Sequence, residues 1–113
     1  MFEEKSEFKI WNSPEIIDWG PAKVRFYVKN DKMLFGILTV PKRSVGLVDE
    51  GHKNGEYLHC LKGNFEMVLL YKNGEKESKK VCEGDSVFVP EKIDHQIINN
   101  SEDEVINTFA IAL

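Results

Sequence analysis

The sequence predicts an all-β fold, a sandwich or closed barrel, and three observations carry that expectation. Apolar residues come in short runs, several of which alternate with polar ones, as half-buried strands require. Glycine, proline and asparagine signals for turns separate those runs at close spacing. No segment between residues 22 and 113 repeats its apolar residues with the period of a helix. Closing such strands into a barrel also removes the exposed sheet edges that invite aggregation.

Taken in order, the first twenty residues form an N-terminal arm (1–20) ahead of one barrel domain (21–113). Ser13-Pro14-Glu15 has the form of a helix start, a capping hydroxyl followed by proline at the first helical position, so one short helical turn is expected there. Trp11 and Trp19 flank it and are expected to plug a barrel mouth or to pack on a second subunit. Residues 22–28 alternate, with Val24, Phe26 and Val28 on one side. Residues 33–40 are apolar on both faces, as in a strand between layers, and Phe35, Ile37 and Thr39 are expected to face the interior. Runs 56–61 and 64–71 flank Lys62-Gly63, and Asn73-Gly74 then signals a hairpin back through 78–82. Residues 86–89 form a short strand stopped by Pro90, 94–99 another, and 104–112 the last. Tyr71, Phe88 and Phe109 are expected to serve the core.

A chain of 113 residues is one domain with a modest core. Phosphate binding needs a basic face, and a net charge of −4 argues against one, so nucleic acid is not an expected partner. No apolar run is long enough for a membrane span, and the polar start MFEEKSEFK is unlike a signal peptide, so a cytoplasmic location is expected. Cys60 and Cys82 are too few for a disulfide framework and are expected as free thiols.

Two stretches hold residue types that bind metal. The first, residues 52–63, carries His52 and Glu56; the second, residues 84–99, carries His95. In a strand, residues two apart face the same way, so Glu50 and His52 are expected to point inward together. Glu56 shares its face with Leu58 and Cys60, which turns His59 the other way. Two imidazoles with one or two carboxylates suit Fe(II), Mn(II), Zn(II) or Ni(II). Two carboxylates in an apolar interior would repel unless one took a proton, and a divalent ion removes that conflict.

These residues resemble the motifs of the cupins. Gly84, Pro90, His95 and Asn99 fall in register with the family's second motif, although Lys92 stands where the motif has an inner glycine. That substitution requires the turn to reverse in another way. Glu56 and Gly63 match the end of the first motif, and His52 matches its second histidine; Glu50 occupies the place of the first. A competing register starts from Gly46 and makes His52 the first histidine, but it loses Glu56. The resemblance covers residues 33–112 and implies a double-stranded β-helix, or jelly-roll barrel. It further implies a divalent metal on His52, Glu56 and His95, with Glu50 as a fourth ligand, a small-molecule ligand and a homodimer. Family members include dioxygenases, isomerases, decarboxylases and lyases, so no reaction type follows, and no catalytic residue is assigned. The alternative is a non-catalytic ligand-binding or structural cupin that has lost its metal.

Overall fold

The computed structural model describes residues 15–113, which form ten strands and no helix. They are β1 (Glu15–Trp19), β2 (Ala22–Lys29), β3 (Met33–Val40), β4 (Ser44–Val45) and β5 (Glu56–Lys62). After them come β6 (Phe65–Leu70), β7 (Lys76–Val81), β8 (Ser86–Val89), β9 (Asp94–Asn99) and β10 (Val105–Ala112). Two antiparallel sheets face each other, in the orders β1-β2-β3-β10-β5-β8 and β4-β9-β6-β7. The crossing order places β10 between β3 and β5, and β9 between β4 and β6, as a jelly roll requires.

The core lies between the sheets. It is built from alternate residues, among them Leu38 and Val40 of β3, Leu58 and Cys60 of β5, Phe65 and Met67 of β6, and Val105, Phe109 and Ile111 of β10. Cys60 is a small buried apolar residue whose Sγ lies 3.3 Å from the Gly63 carbonyl oxygen. Asn99 serves local backbone: its amide donates to Pro41 and Asp103 carbonyls, and its oxygen accepts from Ser101.

Three expectations are corrected. Phe35, Ile37 and Thr39 do not line the interior; Gly36, Leu38 and Val40 do, and Phe35 is 38% exposed. With both faces apolar, β3 carries no alternation to fix its phase, so its neighbours decide. Phe109 sits opposite Gly36, where an added Cβ would fall 3.1 Å from the Phe109 ring and 2.0 Å from the Arg25 carbonyl oxygen. Tyr71 lies outside the core, its hydroxyl donating to the Glu77 carboxylate at 2.8 Å, and Phe88 does not serve the core either. It stands on the outer face of the larger sheet beside Tyr57, ring centroids 4.7 Å apart, while Val89 points inward. Finally, Glu15 onward is strand rather than helix, because β1 pairs along its whole length with β2. Trp11 and Ser13-Pro14 lie outside the described residues. Trp19 packs against the core.

Lys92 resolves its own turn. It adopts φ of 60°, the left-handed conformation that glycine takes without strain. Its N–H donates to the His52 carbonyl at 2.7 Å. Gly51 makes room for that contact, since a Cβ there would come within 2.3 Å of the Lys92 carbonyl carbon.

Candidate metal centre

The site assembles where the start of β5 meets β9 and the 46–55 segment. Glu56 opens β5 opposite Val89, and its side chain is buried. His95 is the second residue of β9 and is 2% exposed. Opposite it stands Asp49, held by two backbone hydrogen bonds, Asp49 N–H to His95 carbonyl at 2.7 Å and His95 N–H to Asp49 carbonyl at 2.9 Å. The chain then turns. The Gly51 N–H donates to the Asp94 carboxylate at 2.8 Å, and the Gly55 N–H to the His52 carbonyl at 3.3 Å. That turn returns His52 to the side on which Asp49 and Glu56 lie.

Four donor atoms converge. His95 Nε2 lies 3.1 Å from both Asp49 Oδ2 and Glu56 Oε1. His52 Nε2 lies 3.2 Å from the same Asp49 oxygen and 3.3 Å from the same Glu56 oxygen. One ligand atom from each of the four residues lies within 4.8 Å of the others. Donors bound about 2.1 Å from a divalent ion stand about 3.0 Å apart when adjacent in an octahedron and about 3.4 Å apart in a tetrahedron. The donor set fits a divalent cation in its chemistry and its spacing.

Orientation supports the same use. His95 Nδ1 lies 3.1 Å from the Ile93 carbonyl oxygen, which can only accept, so Nδ1 carries the proton. In the neutral ring Nε2 then presents its lone pair to the cluster, the tautomer a ligating histidine needs. Without an ion that lone pair would face two carboxylate oxygens, so the ring holds a second proton instead. Burial opposes that charge, but hydrogen bonds to Asp49 and Glu56 and the field of Glu56 outweigh it and push the His95 pKa up to about 10. His52 is raised as well, first by its contact with Glu56, against desolvation and with help from Asp49. Burial alone would raise Asp49; the contacts with His95 and His52 hold it below the usual carboxylate range.

His52, Glu56 and His95, the three residues expected to converge, do so. Glu50 is exposed and stands outside the group; the second carboxylate is Asp49. Strand alternation placed Glu50 beside His52, but residues 50–55 are a turn and not a strand. The one signal for Asp49 in the sequence is Gly51, which breaks the strand and makes either neighbouring acid available. His59 faces away, its Nδ1 2.8 Å from Ser86 Oγ.

Beside the cluster opens a cavity of about 160 Å³. Asp49, His52 and Glu56 form one end of it, and Trp19, Phe26, Leu34, Leu38, Phe109 and Ile111 form much of the rest.

No protein-family model and no curated protein matches the chain. Solved structures do. The hydroxypropylphosphonic acid epoxidase from S. wedmorenis is similar over 94% of this chain and 59% of its own, with TM-score 0.78 and 15% identity. A structure of FeII HppE is similar over 100% of this chain and 63% of its own, with TM-score 0.77 and 15% identity. The Drosophila melanogaster CENP-C cupin domain is similar over 97% of this chain and 86% of its own, with TM-score 0.76 and 13% identity. The chain thus spans about three fifths of the length of the epoxidase. At these identities the likeness is one of architecture, and on that ground this chain has the fold of a small cupin, two facing antiparallel sheets wound as a jelly-roll barrel.

Proposed function

We propose that this cupin binds a divalent metal through Asp49, His52, Glu56 and His95 and there binds or transforms a small molecule. One observation carries the reading: the His95 ring, its Nδ1 proton committed to the Ile93 carbonyl, aims Nε2 between two carboxylates that His52 also touches. A bound ion would supply Lewis-acid or redox chemistry at the polar end of the cavity. The chain's own residues would hold it, exclude water through the apolar wall and fix the ligand's approach. The iron form named in the FeII HppE structure supports a metal in this fold, though not its identity here.

The test is metal content by elemental analysis of the purified protein and of His95→Ala, with melting temperatures before and after adding Mn(II), Fe(II), Zn(II) or Ni(II). Near-stoichiometric metal that the variant loses, with a raised melting temperature on loading, upholds the reading. A metal-free protein whose melting is unmoved by all four ions sinks it.

A second reading has its own observation. With His95 protonated, the four groups satisfy one another at 3.1–3.3 Å without any ion. A structural or ligand-binding cupin that has lost its metal would use them so, and the Drosophila melanogaster CENP-C cupin domain has the same fold. A cytoplasmic homodimer is proposed with either reading. Exposed Phe35, Tyr57 and Phe88 on the larger sheet support the pairing, and sedimentation equilibrium tests it.

A further inference from the structure

The cavity beside the cluster restricts what the site admits. Among the described residues its wall is apolar apart from Asp49, His52, Glu56 and the Trp19 indole N–H, and no Lys or Arg lines it. We infer that the site takes a small uncharged ligand, an apolar body with one amide, carbonyl or hydroxyl oxygen, and rejects carboxylates and phosphonates of the same shape. This rests on the metal reading for what the oxygen meets, and on the cavity wall for what surrounds the rest.

Charge decides the first half. Two carboxylates already cancel a divalent ion, so an anionic ligand brings a net charge into a wall whose described residues include no Lys or Arg and, beyond the cluster, only the neutral Trp19 indole N–H as a polar group. Uncompensated charge in such surroundings costs far more than a neutral oxygen does. Size decides the second. About 160 Å³ is close to the 150 Å³ of an engineered cavity that holds benzene, so this cavity, open at its Ile17 rim, covers an apolar body of about six heavy atoms. The epoxidase that shares this fold is named for a phosphonic acid, but a shared fold does not carry a substrate, and no Lys or Arg among the described lining residues stands ready to meet one.

Isobutyramide, isobutyrate and isopropylphosphonate share an isopropyl body and differ in charge. Each is titrated into the zinc-loaded protein while ¹³C-methyl spectra report on Ile17, Leu34 and Ile111, which line the cavity. The amide is expected to shift these methyls and to saturate at least tenfold lower than isobutyrate, with no saturable shift from the phosphonate. Equal or tighter binding of either anion overturns the inference. Leu34→Trp, or Ile17→Trp at the partly exposed rim if the first does not fold, is expected to keep its zinc by elemental analysis and lose the amide response. An unchanged amide response in a zinc-bearing filled variant also overturns it. Where the wild-type protein takes up no zinc, the metal reading fails by itself. The zinc-free protein then carries the titration: a tenfold preference for the amide upholds the inference, and its absence overturns it.

Discussion

Proton and metal compete for one atom, Nε2 of His95, so metal affinity is expected to rise with pH. The His95 pKa of about 10 means the ring carries its extra proton across the whole physiological range. At pH 7 removing that proton costs about 4 kcal/mol, at about 1.4 kcal/mol per pH unit, and metal binding must supply it. Below pH 10 the apparent Kd should therefore fall about tenfold per pH unit, or about a hundredfold between pH 6.5 and 8.5. His52, raised as well by its contact with Glu56, adds to the protons released. Mn(II) titration calorimetry at three pH values, repeated in buffers of differing ionisation enthalpy, gives both the affinity and the protons released. Between one and two protons should leave per ion. A Kd that moves less than about threefold over the range, with no proton release, would refute the reasoning. The metal-free protein should show the opposite trend. A His whose folded pKa is raised contributes stability that is full below its unfolded pKa near 6.5 and lost as pH rises through 10. Asp49, held low, contributes above its unfolded value of 3.8 and loses that in acid. Metal-free melting should thus peak between about pH 4 and 6.5 and decline on the alkaline side.

Other substitutions read other parts of the account. Asp49→Asn should weaken metal binding about tenfold or more, having removed a charge and a ligand atom, whereas Glu50→Gln should leave it unchanged by the same calorimetry. Lys92→Gly should stabilise by about 0.5–1 kcal/mol, because a left-handed residue with a Cβ costs about 1–2 kcal/mol and glycine's extra chain entropy offsets part of the gain. Urea unfolding reads the change, and a loss of stability would mean that the Lys92 side chain contributes more than its backbone strains. Asn107 is fully buried, and neither atom of its amide has a partner among the described residues. Asn107→Leu is expected to raise stability by about 1–2 kcal/mol; a lower midpoint in urea would show that the amide is satisfied after all.

Much of the architecture is legible in the sequence because turns punctuate it. Pro90 ends β8, Gly63 and Gly84 take positive φ at strand junctions, and the polar run 99–103 separates β9 from β10. What alternation cannot supply is the phase of a strand that is apolar on both faces. Phe35 falls under that ambiguity, which only the packing of Phe109 over Gly36 resolves, whereas in β8 Ser86 shares the outer face with Phe88 and the pairing of Glu56 with Val89 fixes the phase. In the site, His52, Glu56 and His95 stand in recognisable spacings, and β5 and β9 carry two of them on regular strands. Asp49 was not legible because its position depends on a bridge to His95, 46 residues away in sequence, followed by a turn at Gly51. Lys92 takes the left-handed conformation itself, so a missing glycine in the sequence is not a missing conformation in the turn.

The central claim is that Asp49, His52, Glu56 and His95 hold one ion. A crystal of the Mn(II)-soaked protein, measured for anomalous scattering at the manganese edge, tests it most directly. The account predicts a single strong peak about 2.1–2.3 Å from Asp49 Oδ2, His52 Nε2, Glu56 Oε1 and His95 Nε2. A peak elsewhere, or four side chains closed on one another with no peak among them at saturating manganese, would contradict it.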